Sequence, residues 1–143
     1  MADTRDSVVK VVARLYRNLE VFTNGRIGGR LAGMESLILT TRGRKTGELR
    51  EAVLSAPICE DDMVVLVASW GGGPQHPQWF LNLRADPRVS ILHRGETKDM
   101  VARIAEGEER AALWERATAV YSNYDDYQAR TTREIPVVVL TPA

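Results

Sequence analysis

Two glycines four residues apart, Gly43 and Gly47, enclose Arg44, Lys45 and Thr46, and Arg50 follows three residues later. Glycine permits backbone angles that other residues resist, so a tight loop of this kind can turn several N–H groups toward one point. Arg44, Lys45 and Arg50 add fixed positive charge beside that point, and two threonine hydroxyls accompany them. Amides, hydroxyls and cations together suit phosphate or carboxylate. The plainer alternative is a solvated basic turn between two strands. The spacing is not that of the Walker A loop, which needs four residues between its first glycine and Gly-Lys.

The flanking sequence has to position this loop. Residues 36–41 read as a strand of large apolar and β-branched residues, and 50–59 as a second strand. Residues 63–68 are apolar without alternation, which predicts a strand covered on both faces. The run 69–74 (SWGGGP) breaks the sheet, and a helix is expected over 77–85, closed by Asp86-Pro87. Residues 89–93 and 97–104 read as a hairpin, 108–120 as a helix and 136–140 as a final strand. Toward the N-terminus, Val8, Val12, Leu15, Leu19 and Phe22 recur at helical spacing, which predicts an amphipathic helix over 5–22. The preferred reading packs it on the domain; the alternative lays it on a membrane surface. Residues 24–33 carry four glycines and read as a connection. Short strands without regular βαβ alternation indicate an α+β fold with a mostly antiparallel sheet or barrel, in a single domain over 1–143. No Rossmann fingerprint joins a strand to a helix.

Composition narrows the function. Nineteen acidic and nineteen basic residues cancel, against a general nucleic-acid binder. One cysteine, Cys59, and two histidines, His76 and His93, argue against a disulfide or a zinc centre, so no metal is expected. Cys59 reads as a small buried hydrophobe, His76 as an exposed turn residue and His93 as structural. A reducing cytoplasm is the default location, since no signal peptide and no run of about 18 apolar residues is present. Tyr121, Tyr124 and Tyr127 recur at a spacing of three and on one helix share a face, as core, interface or pocket lining.

Taken together, Leu39-Thr40-Thr41, Gly43-Arg44-Lys45-Thr46-Gly47 and Arg50 resemble the cofactor motif of the deazaflavin-dependent nitroreductase family. Further pieces follow in the family's order: Val67-Ala68-Ser69 into Gly71-Gly72, His76-Pro77-Gln78-Trp79-Phe80-Leu81-Asn82-Leu83 into Asp86-Pro87, the three tyrosines, Gln128, Arg130-Thr131-Thr132-Arg133 and Ile135-Pro136. The resemblance covers roughly residues 35–142.

The resemblance implies an α+β split β-barrel over 35–142, preceded by the N-terminal helix, that binds coenzyme F420, a deazaflavin with a phosphodiester and an oligoglutamate tail. Gly43, Arg44, Lys45, Thr46 and Arg50, with Thr41 and Gly47, would hold phosphate and tail. Ala68, Ser69, Trp70 and Gly71 would lie along the deazaflavin, and Trp79 and Asn82 would complete its wall. Tyr121, Tyr124 and Tyr127 would line the substrate side and with Ser69 form the catalytic set. The implied activity is hydride transfer from reduced F420 to a small electron acceptor: a quinone, an enone or a nitroaromatic. An FMN-binding barrel of the same kind and a non-catalytic F420 carrier are the alternatives. A homodimer fits the fold, and membrane contact would run through the N-terminal helix. Three positions depart from the family pattern: Arg42 replaces Thr, Val53 replaces Pro, and Trp70 replaces a frequent Lys.

Overall fold

The computed structural model describes residues 30–31 and 34–143; the amphipathic helix expected over 5–22, and most of the connection over 24–33, lie outside them. Among the described residues eight strands form one antiparallel sheet: β1 (Arg30–Leu31), β2 (Met34–Arg42), β3 (Leu49–Ala56), β4 (Ile58–Glu60), β5 (Met63–Val67), β6 (Arg88–His93), β7 (Glu96–Ile104) and β8 (Val137–Pro142). The order is β1-β2-β6-β7-β8-β5-β4, with β3 hydrogen-bonded to β2. β3 lies against β5 without forming a ladder with it, so the barrel is split there. Three helices accompany the sheet: α1 (Gln78–Ala85), α2 (Gly107–Val120) and α3 (Asn123–Ala129). This is the α+β split barrel that the sequence led us to expect.

Strand periodicity explains the layering, because alternate side chains point to opposite faces. Val64 and Leu66 of β5, with Val138 and Leu140 of β8, join Leu37 and Leu39 of β2 in the interior. The intervening Val65, Val137 and Val139 face the other way, onto Leu113 of α2. That is why β5 reads as a continuous apolar run: both faces are covered. α1 enters the interior cluster with Phe80 and Leu83.

Two expectations change in detail. The strand read over 50–59 is broken at Pro57 into β3 and β4, because proline has no N–H for the ladder. Val53 nevertheless leaves β3 uninterrupted, paired with Ile38, and its side chain is 67% exposed. The hairpin between β6 and β7 turns on Arg94 and Gly95 alone, at φ 50° and 79°, the backbone signs of a type I′ turn.

Candidate active site

The β2–β3 connection carries the glycine-bracketed loop, and its fold depends on both glycines. Gly43 N–H donates to the Glu48 carbonyl at 2.7 Å and Gly47 N–H to the Gly43 carbonyl at 2.8 Å. Gly47 sits at φ 75°, where a side chain is strained, and a Cβ on Gly43 would stand 3.1 Å from the Glu48 carbonyl. The loop is then tied to α1. Buried Asn82 accepts through Oδ1 from the Arg44 backbone N–H at 3.2 Å and from Arg44 Nη1 at 2.9 Å, and its Nδ2 donates to Thr41 Oγ1 at 3.4 Å. Arg44 Nη2 also donates to Gln78 Oε1 at 2.9 Å.

These bonds revise the picture of freely converging amides. The N–H groups of Gly43, Arg44, Gly47 and Glu48 are engaged within the protein, which leaves those of Lys45 and Thr46 without a partner among the described residues. Arg50 has a loose exposed contact with Glu48 at 3.5 Å, and Lys45 makes no ion pair with a described residue. Arg42 donates through Nη1 to the Gly47 carbonyl at 2.8 Å and so braces the loop.

The loop forms one lip of a cleft of about 640 Å³. Thr41, Gly43, Arg44, Lys45, Thr46 and Arg50 lie along it, with Asn82, Trp79 and Pro77 from the α1 side and Trp70 and Leu54 farther in. A second cleft of about 350 Å³ is lined by Ser69, Trp70, Gly71 and the three tyrosines, over Met34, Leu66 and Val67. Leu54, Trp70, Pro77 and Trp79 border both, so the two spaces adjoin along one apolar wall. Gly47 and Ala68 line neither: Gly47 shapes the turn, and Ala68 is fully buried behind residues 69–73.

The tyrosines do not share a single helix. α2 ends at Val120, Tyr121 is extended at φ −140° and ψ 93°, and Tyr124 and Tyr127 belong to α3. They converge across that break, with ring centroids 5.0 to 6.3 Å apart. Their hydroxyls differ. Tyr124 is 4% exposed and donates to Met34 Sδ at 3.3 Å, and burial pushes its phenol well above the usual range. The Tyr121 and Tyr127 oxygens are 3.0 Å apart, and Asn123 Nδ2 donates to Tyr121 at 3.0 Å. The bond shared with Tyr127, and then that from Asn123, holds the Tyr121 phenol below its ordinary value, while the same shared bond raises that of Tyr127.

Residues 69–73 form the least conventional backbone of the site. Trp70, Gly71 and Gly72 have φ of 42°, 63° and 80°. For tryptophan that conformation costs about 1–2 kcal/mol. A Cβ on Gly72 would stand 2.6 Å from the Tyr127 carbonyl, so only glycine lets the turn meet α3. Arg133 fixes the turn: its Nε donates to the Gly73 carbonyl at 2.9 Å, Nη1 to that of Ala68 at 3.1 Å and Nη2 to that of Ser69 at 2.8 Å. Nη1 also lies 3.0 Å from His76 Nδ1, which accepts when the ring is neutral. Burial, then the nearby Arg133 and Arg84 charges, keep the His76 pKa below the ordinary value. His76 is therefore a half-buried partner of Arg133, not an exposed turn residue.

Sequence reasoning passed over Arg133 and Gln78 as working residues, although both stood inside the motifs it quoted; their roles need partners 34 to 65 positions away. Cys59 is half-buried, with burial raising its thiol, and His93 lies 3.6 Å from Glu35, away from both clefts. No metal-binding cluster of His, Cys, Asp or Glu occurs among the described residues.

The split barrel thus carries a cation-lipped cleft adjoining an aromatic-lined one. The sequence matches the profile of F420H(2)-dependent quinone reductases over residues 9–142, and the chain belongs to that family. It is similar to an F420H(2)-dependent quinone reductase of Mycobacterium tuberculosis, 39% identical over 132 residues, spanning 90% of this chain and 88% of that protein. Among solved structures it resembles an F420H2-dependent reductase at 39% identity and TM-score 0.66, over 73% of this chain and 92% of that one. It also resembles a domain-swapped dimer at 34% identity and TM-score 0.69, over 94% and 98% of the two chains.

Proposed function

We infer that this protein is an F420-dependent reductase that passes a hydride to a small electron-poor acceptor of the quinone class. The observation that carries the reading is the junction of the two clefts along one apolar wall, in a chain of the F420H(2)-dependent quinone reductase family. The donor set fits the cofactor. A phosphodiester and glutamates need cations and amides, and the loop offers Lys45, Arg50 and the free N–H groups of Lys45 and Thr46 at an open lip. A planar ring system needs apolar walls, and Trp79, Leu54 and Pro77 supply them.

When bound, reduced F420 supplies the hydride from C5 of its deazaflavin. The protein holds, orients and shields. In this reading Arg44 is a scaffold cation, already engaged by Asn82 and Gln78, whereas Lys45 and Arg50 take the tail. A quinone that accepts a hydride also needs a proton at oxygen. The Tyr121 oxygen accepts from Asn123 and lies 3.0 Å from the Tyr127 oxygen; with Tyr127 as donor in that pair, the Tyr121 O–H is left to donate to the acceptor. The Tyr124 proton is directed at Met34, so that residue contributes its ring. We assign the proton step to Tyr121 and keep Ser69 as part of the wall beside it.

We propose that the whole chain is one domain working in the cytoplasm. The described residues include no helix long and apolar enough to cross a membrane. A homodimer is supported by the domain-swapped relative. Oxidation of reduced F420 in the presence of menadione, followed with and without protein, tests the central reading. Acceleration by the protein is expected; F420 binding without acceleration would favour the carrier, and tighter binding of FMN than of F420 would favour a flavin enzyme.

A further inference from the structure

Trp70 is an apolar plane held where it gains little from the fold. It is 60% exposed, and its ring pairs with no other aromatic ring among the described residues. Its backbone is left-handed at φ 42°, a conformation that glycine would adopt without penalty. Relaxation is blocked from both sides: Gly72 N–H donates to the Ser69 carbonyl at 2.9 Å, Gly73 N–H to the Trp70 carbonyl at 3.0 Å, and Arg133 grips the carbonyls of Ser69 and Gly73. Strain that the surroundings maintain points to a working position. The side chain borders both clefts.

Resting on the F420-dependent reading, we propose that Trp70 is the specificity-determining residue for the acceptor, stacking on a planar aromatic ring system lodged in the tyrosine-lined cleft. That cleft, about 350 Å³, has room for a bicyclic quinone beside Tyr121 and Tyr127 and is too small for the whole cofactor. The indole makes no hydrogen bond with a described residue, so its face and edge are both available to a ligand. A flat aromatic acceptor gains offset stacking there, and a puckered aliphatic enone does not. A lysine, frequent at this position in the family, would offer charge instead of a plane.

The test compares wild type with Trp70→Leu, Trp70→Phe and Trp70→Gly. Menadione is the planar acceptor, 2-cyclohexen-1-one the puckered one and 1-naphthol an unreactive planar probe, titrated by calorimetry into protein saturated with oxidised F420. Trp70→Leu is expected to raise the menadione KM and the 1-naphthol Kd about five- to tenfold, several times more than it raises the cyclohexenone KM. Trp70→Phe should retain most of the planar preference. Trp70→Gly should lose that preference while raising Tm, because it removes the backbone strain. Unchanged menadione and 1-naphthol binding in Trp70→Leu would overturn the proposal, as would equal losses for both acceptors. Absence of F420-dependent turnover in wild type would refute the cofactor reading instead. Titration of 1-naphthol into the unliganded proteins, wild type against Trp70→Leu, would then still decide Trp70.

Discussion

The two clefts are built by opposite strategies. The larger one has its lip made from a local segment, residues 41–50, whose glycines and cations lie within ten positions of each other and borrow two anchors from α1, Asn82 and Gln78. The smaller one is assembled from parts far apart in the chain: the turn at 69–73, the tyrosines at 121–127, which meet it where Gly72 approaches Tyr127, and the Arg133 guanidinium that pins the turn. A local site tolerates loss of one cation with a graded fall in affinity. An assembled site depends on the group that holds its pieces together.

The largest effect should follow from Arg133→Ala. It removes three hydrogen bonds, to the Ala68, Ser69 and Gly73 carbonyls, and hydrogen bonds to a charged group are worth about 1.5–3 kcal/mol each where shielded. Turnover should fall by at least about a hundredfold, the scale of a displaced catalytic group, and Tm should drop. F420 affinity should fall far less, because the cationic lip is built separately. A variant with near-normal turnover would erase the contrast between the clefts.

Tyr121→Phe comes next. General acid help is worth about 10²–10⁴ in rate, but water at the open cleft can substitute, so about tenfold in kcat with unchanged F420 Kd is expected. Tyr124→Phe should leave kcat within about twofold and cost about 1 kcal/mol of stability through its hydrogen bond to Met34. Stopped-flow single turnovers for both variants would reverse the assignment if Tyr124 proved the slower.

A smaller effect concerns pH. The folded His76 pKa lies below its ordinary value of 6.5, so the unfolded chain takes up the proton first. The stability contribution is complete above pH 6.5 and is lost as pH falls toward the depressed folded value. In His76→Gln the decline of Tm over that window should be shallower than in wild type. Parallel Tm profiles would remove His76 from the clamp.

Legibility followed the same division. The loop could be read because its chemistry is contiguous, and the barrel because Val64–Val67 and Val137–Leu140 are apolar on both faces. The clamp was not legible, because a guanidinium at position 133 gives no sign that it will meet carbonyls at 68, 69 and 73. Spacing of three suggested one helical face for the tyrosines; the chain instead breaks at Tyr121, and packing against Met34 and Trp114 sets their order. Ala68 and Gly47 stand beside the motifs in sequence but border neither cleft: Ala68 is fully buried, and Gly47 shapes the turn.

The most direct test of the account is calorimetric titration of F420 into wild type and Lys45→Ala at low and high salt, with FMN as the control ligand. Lys45 is an exposed cation at the lip without an ion-pair partner among the described residues. Its loss should weaken F420 about tenfold at low salt, the equivalent of 1.4 kcal/mol, and less at high salt as screening takes over. Wild type should bind F420 well ahead of FMN. Equal F420 dissociation constants for the two proteins at both salts would contradict the placement of the anionic tail in this cleft.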